Sequence, residues 1–204
     1  SPSWKDLPSE IVAFAFPIPT QAKRPRPDRF VHFFQKCASL PHRLLTFPHP
    51  LRFPDFGNVQ KVNWKNLDFI IVDMPPGTGD TQLTFSQEIK MDGAIIVSTP
   101  QEVALLDVKR GIKMFDKLDV KILGLVDNMS YFIGDDKKRY NIFGKDGVRK
   151  TAEEFNKDFL GEIPINSEVG KSGDKGKPIV EENPDHEISK IYLNFANKIK
   201  SAYL

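Results

Sequence analysis

"FIIVDMPPGTGD", residues 69–80, is the stretch that decides how this chain folds. It opens with four apolar residues, three of them β-branched. A short, continuously apolar run of this kind marks a strand buried on both faces. In an open parallel sheet, ligands bind beyond the carboxyl ends of the strands. Asp73 stands at such an end. A carboxylate there can hold a water of a Mg²⁺ shell, because Mg²⁺ prefers oxygen ligands and keeps several waters. Pro75 and Pro76 stiffen the exit, and Gly77 and Gly79 let the backbone approach an anion with no Cβ in the way. Thr78 or Asp80 can cap the following segment, "TQLTFSQEI", as a helix whose N-terminus carries partial positive charge. The competing reading is a strand-to-helix turn that merely needs Gly and Pro. The whole D-x-P-P-G-T-G-D run after an apolar strand favours the ligand loop.

Downstream, the strand type recurs. "GAIIVSTP" (93–100), "VKILGLVDN" (120–128) and the shorter "DFLGEIP" (158–164) are apolar runs separated by helical patterns. One helix opens at Thr99, Pro100 and Glu102, where Thr at N-cap, Pro at N1 and Glu at N3 make a capping box. Its apolar stripe is Leu105, Val108, Ile112 and Phe115. A second helix covers 145–157. A third is capped by Asn183 with Pro184 at N1, and Ile188, Ile191, Tyr192, Phe195, Ala196 and Ile199 line one face. Strands alternating with helices indicate an α/β fold, a parallel sheet with helices on both faces.

Upstream, composition changes sharply. Residues 1–60 hold ten of the sixteen prolines, eight of the sixteen phenylalanines and three of the four histidines. That part carries a net charge of +4 and the remainder −2, giving the overall +2. Proline lacks a donor and disfavours helix at the preceding residue, and no sustained period of 3.6 or 2 runs through this segment. Residues 1–57 therefore read as a Pro/Phe-rich segment that is disordered or non-native, followed by a domain over 58–204. "AKRPRPDR" (22–29) reads as a solvated, extended run rather than a docking patch. The arginines favour a targeting presequence; the prolines and the lack of an amphipathic helix oppose it. The chain begins with Ser, so it is expected to be processed or a fragment.

The small net charge gives no argument for nucleic acid or a membrane surface. No window approaches the roughly 18 apolar residues of a spanning helix. A single cysteine, Cys37, makes no intramolecular disulfide. A reducing compartment follows as the default, the cytoplasm, with the mitochondrial matrix as the alternative.

"VDMPPGTGDTQLTFSQEI", "GAIIVSTPQEVALLDVKRGIKMF" and "ILGLVDNMSYF" closely resemble the Mrp/ApbC group of P-loop ATPases, iron–sulfur cluster carriers related to MinD. "IFGKDGVRK", "FLGEIPI" and "GKPIVEENPDHE" continue the resemblance, which covers about 61–204. It implies a P-loop NTPase fold of the SIMIBI type and a homodimer that binds ATP and Mg²⁺. It also implies a [4Fe-4S] cluster held between subunits and passed to apoproteins. It places Asp73 at the end of the Walker B-type strand as the catalytic, Mg²⁺-side acid. Pro76, Gly77, Thr78, Gly79 and Asp80 match the nucleotide-responsive switch. Asn128, in "DNMS", falls where related ATPases recognise adenine, since an amide pairs both a donor and an acceptor; its competing reading is a strand-end turn. Pro164 and Ile165 are placed beside the base.

Two features of the family are missing. No G-x-x-x-x-G-K-[ST] occurs in the 204 residues. "VGKSG" (169–173) reads as an exposed turn, since the earlier glycine position is Ile165. Without a Walker A loop little remains to cradle a triphosphate. That loop follows a strand central to the sheet, whose absence would orphan backbone groups on its neighbours. The only nearby candidate to replace it is "FPDFGNV" (53–59), which lacks the apolar run such a strand should have, and the domain is expected to be N-terminally truncated. Nor is there a cysteine between Asn128 and Gly144, where many members carry C-x-x-C. Asp135 and Asp136 in "DDKKR" read as a solvated loop tip, and Cys37 alone cannot supply four thiolates. Three functions stay open: an iron–sulfur carrier impaired in ATP and cluster binding, a non-catalytic remnant, and a MinD-like switch that docks on a partner. Whether the chain is an enzyme stays open with them.

Overall fold

The computed structural model describes residues 91–201 and, as backbone, the strands β1 (Ile11–Pro17) and β2 (Phe69–Val72). The domain assembles around β4 (Ile122–Ile133). Its first half is flanked in parallel by β3 (Ala94–Ser98) and β6 (Phe159–Ile165), and its last residues pair antiparallel with β5 (Arg139–Tyr140). On the far side of β3 the sheet continues through β1 to β2. Strand β1 is antiparallel to both neighbours, so β2, β3, β4 and β6 point the same way.

The α/β class with helices on both faces holds, and the sheet is mixed because β1 runs against its neighbours. The pairing also locates the strand that sequence reasoning sought at 53–59, which lies outside the described residues. The position between β2 and β3 is taken by Ile11–Pro17, from within the Pro-rich segment. The backbone groups of both neighbours must be paired, and "IVAFAF" is rich in strand formers.

Strand alternation sends the core to two faces. Ile96 and Leu125 pack with Val108, Ile112 and Phe115 of helix α1 (Glu102–Lys117) and Val148 of α2 (Gly147–Glu154). Ile95, Val126 and Ile163 pack on the other face under Tyr192, Phe195 and Ile199 of α5 (Glu187–Ser201). Both stripes read from the sequence are thus core-facing. Gly161 permits the second contact: its φ is +148° and an added Cβ would lie 2.7 Å from Phe195 Cε1.

Helix starts differ from expectation. Thr99 and Pro100 do not form the capping box. The helix begins at Glu102 with Gln101 as N-cap and no side-chain cap bond, while Thr99 Oγ1 donates to Gln101 Oε1 at 3.4 Å. The Pro100 carbonyl instead packs against Gly144 and Gly147, where an added Cβ would come within 3.2 and 2.7 Å of it. Asn183 is the C-cap of a short helix α4 (Ile179–Glu182), not the N-cap of α5. That role passes to His186, whose Nδ1 accepts from Ile188 N at 3.1 Å. "VGKSG" is not a turn. It lies in α3 (Ser167–Asp174), capped by Asn166, with Lys171 paired to Glu168 at 3.0 Å.

Candidate functional site

The aligned strands put their carboxyl ends on one edge of the sheet. Ser98, Asp127 and Glu162 are in register across β3, β4 and β6, and Asn128 pairs with Ile163. Asn128 is half-buried, and its Oδ1 accepts from Met129 N at 3.0 Å. Met129 is in the left-handed region (φ 53°), where the β4–β6 register shifts. Ser130 Oγ re-anchors the strand on Ile163 O at 3.2 Å. Pro164 is buried on the neighbouring strand, and Ile165 is half-buried. The structure therefore brings Asn128 and Pro164 together at one edge of the sheet. Asp73 follows β2 directly. It lies outside the described residues, as do Pro76, Gly77, Thr78, Gly79 and Asp80. Strands β2 and β4 stand three spacings apart, about 14 Å.

Between β2 and β3, the described residues do not form a phosphate cradle at the carboxyl edge. A phosphate cradle forms where a strand's carboxyl end turns into a helix N-terminus. The strand between β2 and β3 runs the other way: Pro17 pairs with Phe69, the first residue of β2, and Phe14 with Val72, its last. The chain thus leaves β1 at the opposite, amino edge. No group of three or more His, Cys, Asp or Glu among the described residues suits a metal ion.

The electrostatics of the edge centre on Asp127, a residue sequence reasoning did not single out. It is 1% exposed, and its Oδ1 has no hydrogen-bond partner. Burial, then the negative charges of Glu162 and Asp146, push its carboxyl up to about 7, against the pull of Arg139 and Arg149. Glu162 is itself held by Arg139 in a two-pronged contact, Nη1–Oε2 3.1 Å and Nη2–Oε1 3.0 Å. That guanidinium also lies 3.9 Å over the Tyr131 ring. The signal available in the sequence was the charge closing the apolar run "ILGLVD", the same device that marked Asp73. Asp135 and Asp136 are exposed at the β4–β5 turn, as expected for a loop tip. A cavity of about 330 Å³, lined by Asp116, Lys121, Lys157 and Asp158, lies at the amino end of β4, remote from this edge.

Residues 58–200 match the family described as ParA, NUBPL iron-transfer P-loop NTPase. The chain belongs to this family. An iron–sulfur cluster carrier protein of Aquifex aeolicus is 48% identical over 134 residues, 65% of this chain and 37% of that protein. The "iron-sulfur protein required for NADH dehydrogenase, mitochondrial" of Arabidopsis thaliana is 48% identical over 139 residues, 68% of this chain and 44% of its own length. Among solved structures, a nucleotide-binding protein of Archaeoglobus fulgidus in complex with ADP superposes with a TM-score of 0.50 at 36% identity. The match covers 59% of this chain and 49% of that one. The chain thus spans less than half the length of the curated relatives it matches. Asn128 lies at the carboxyl edge of the sheet, and β1 runs antiparallel to the strands on either side of it. No helix among the described residues is long and apolar enough to cross a membrane.

Proposed function

We propose that this chain descends from iron–sulfur cluster carriers and that, as it stands, it is impaired in binding ATP and a cluster. Residues 58–204 form the family domain; 1–57 are a separate segment, part of which is recruited into the sheet as β1. The observation that carries the impairment is the direction of β1. In the central position it supplies pairing for β2 and β3 but delivers no loop to the phosphate edge. The absence of G-x-x-x-x-G-K-[ST] supports the same reading. Asp73 retains the Mg²⁺-side role through a bound water. Pro76, Gly77, Thr78, Gly79 and Asp80 are the switch, and Asn128 with Pro164 is the base end. A homodimer that meets apoprotein recipients is the assembly in keeping with the carrier relatives. The site of action is the cytoplasm or, in keeping with the plant relative, the mitochondrial matrix.

Calorimetric titration of the whole chain with ATP–Mg²⁺ tests this reading. Heats indistinguishable from dilution are expected, and micromolar affinity would overturn it. Anaerobic reconstitution with iron and sulfide is expected to leave no stable cluster; a brown product with four irons per dimer would restore full carrier function.

A further inference from the structure

Asp127 is buried on β4 with an orphaned carboxylate oxygen. The charged groups around it come from three elements. Strand β6 brings Glu162, its cross-strand partner. Strand β5 brings Arg139, and α2 brings Asp146 and Arg149. Strand β3 contributes only Ser98, whose Oγ donates to Thr99 O at 3.0 Å. Both cations are engaged elsewhere. Arg149 lies 4.2 Å over the Phe159 ring, and Arg139 is spent on Glu162, Tyr131 and, through Nε, Asn141 Oδ1 at 3.2 Å. Asp146 sits in left-handed backbone as the N-cap of α2 and makes no side-chain cap bond. Among the described residues, a negative charge on buried Asp127 beside Glu162 would have no cation of its own, which favours the neutral carboxyl.

Arg139 is also what fastens β5 down. Strand β5 is two residues long and pairs only with Phe132 and Ile133, so its ladder is short. The Arg139–Glu162 fork ties it across β4 to β6. We propose that Asp127 is a proton-controlled latch on the β4–β5 hairpin. With Asp127 protonated, Arg139 stays on Glu162 and the hairpin is fastened. When Asp127 loses its proton to solvent, its carboxylate competes for the same guanidinium and the fork loosens. Burial, Glu162 and Asp146 bring that event into the neutral range. The hairpin carries Ile133, Tyr140 and Ile142, all about half exposed, so the latch sets how rigidly an apolar surface is displayed.

The test is NMR on the full chain between about pH 6 and about pH 8, reading the Asp127 carboxyl carbon and amide exchange over residues 134–140, corrected for intrinsic rates. In the wild type the carboxyl should titrate near 7, and hairpin protection should fall about tenfold with the same midpoint. In Asp127→Asn, protection should be flat with pH. In Glu162→Gln, the hairpin should exchange fast at every pH and the Asp127 midpoint should drop. A wild-type carboxyl midpoint near 4, or an identical pH profile in Asp127→Asn, would overturn the latch. If Asp127→Asn does not fold, the wild-type carboxyl and Glu162→Gln still decide it.

Discussion

A single carboxyl, that of Asp127, couples the pH of the solution to the stability of the domain. Its folded-state titration lies at about 7, against an ordinary value of 3.8. A carboxyl raised in this way is stabilising while protonated. Its contribution is complete below about pH 4 and is lost as pH rises to about 7. At one unit per about 1.4 kcal/mol the loss is a few kcal/mol, at most about 4. Asp127→Asn should therefore flatten the fall in urea midpoint between about pH 5 and about pH 7.5; equal slopes in variant and wild type would show that other groups set the pH dependence. Asp127 was not legible in the sequence. Its charge reads as the polar end of a strand until β6 places Glu162 beside it and the fold buries Asp127. Asn128 was singled out from the sequence, and the structure sets it half-buried at the carboxyl edge of β4, paired with Ile163 next to Pro164.

Among the elements, strands and helices were legible where apolar period alone decides them. The stripe Val108, Ile112 and Phe115 in α1 and its counterpart in α5 are buried as the spacing requires. Helix ends were not, because they answer to tertiary contacts. Thr99-Pro100-Glu102 has every local mark of a capping box, yet Pro100 is engaged by the Gly144–Gly147 turn and the helix starts later. "VGKSG" has two glycines in five residues and still lies in a helix, fixed by the Asn166 cap. The contact between β6 and α5 is tight enough to test. Gly161→Ala combines an unfavourable φ with a Cβ 2.7 Å from Phe195, so a loss of about 2–3 kcal/mol is expected in chemical denaturation. Gly170→Ala is the control, since nothing lies within 4 Å of its added Cβ. It should be neutral or slightly stabilising. Equal effects of the two would refute the packing account.

For the molecule as a whole, the sequence declared its class through alternating strands and helices, and it declared the missing phosphate loop. It hid the replacement strand, because the apolar run "IVAFAF" sits among prolines that argue against regular structure. Deleting residues 11–17 should leave facing edges of β2 and β3 unpaired. The expected result is a lower urea midpoint and concentration-dependent association in sedimentation. An unchanged midpoint and a monodisperse sample would remove β1 from the sheet. The same strand also sets an order of assembly. β3, β4 and β6, with the helices between them, are joined by near-sequence contacts. β1 reaches its partners only by closing the chain over residues 18–68 on one side and 18–93 on the other. Because its closures are the longest, β1 is expected to be the last of the described strands to find its place. Until it pairs, β1 is an apolar strand without a partner, which makes folding of the domain sensitive to whatever shields such segments.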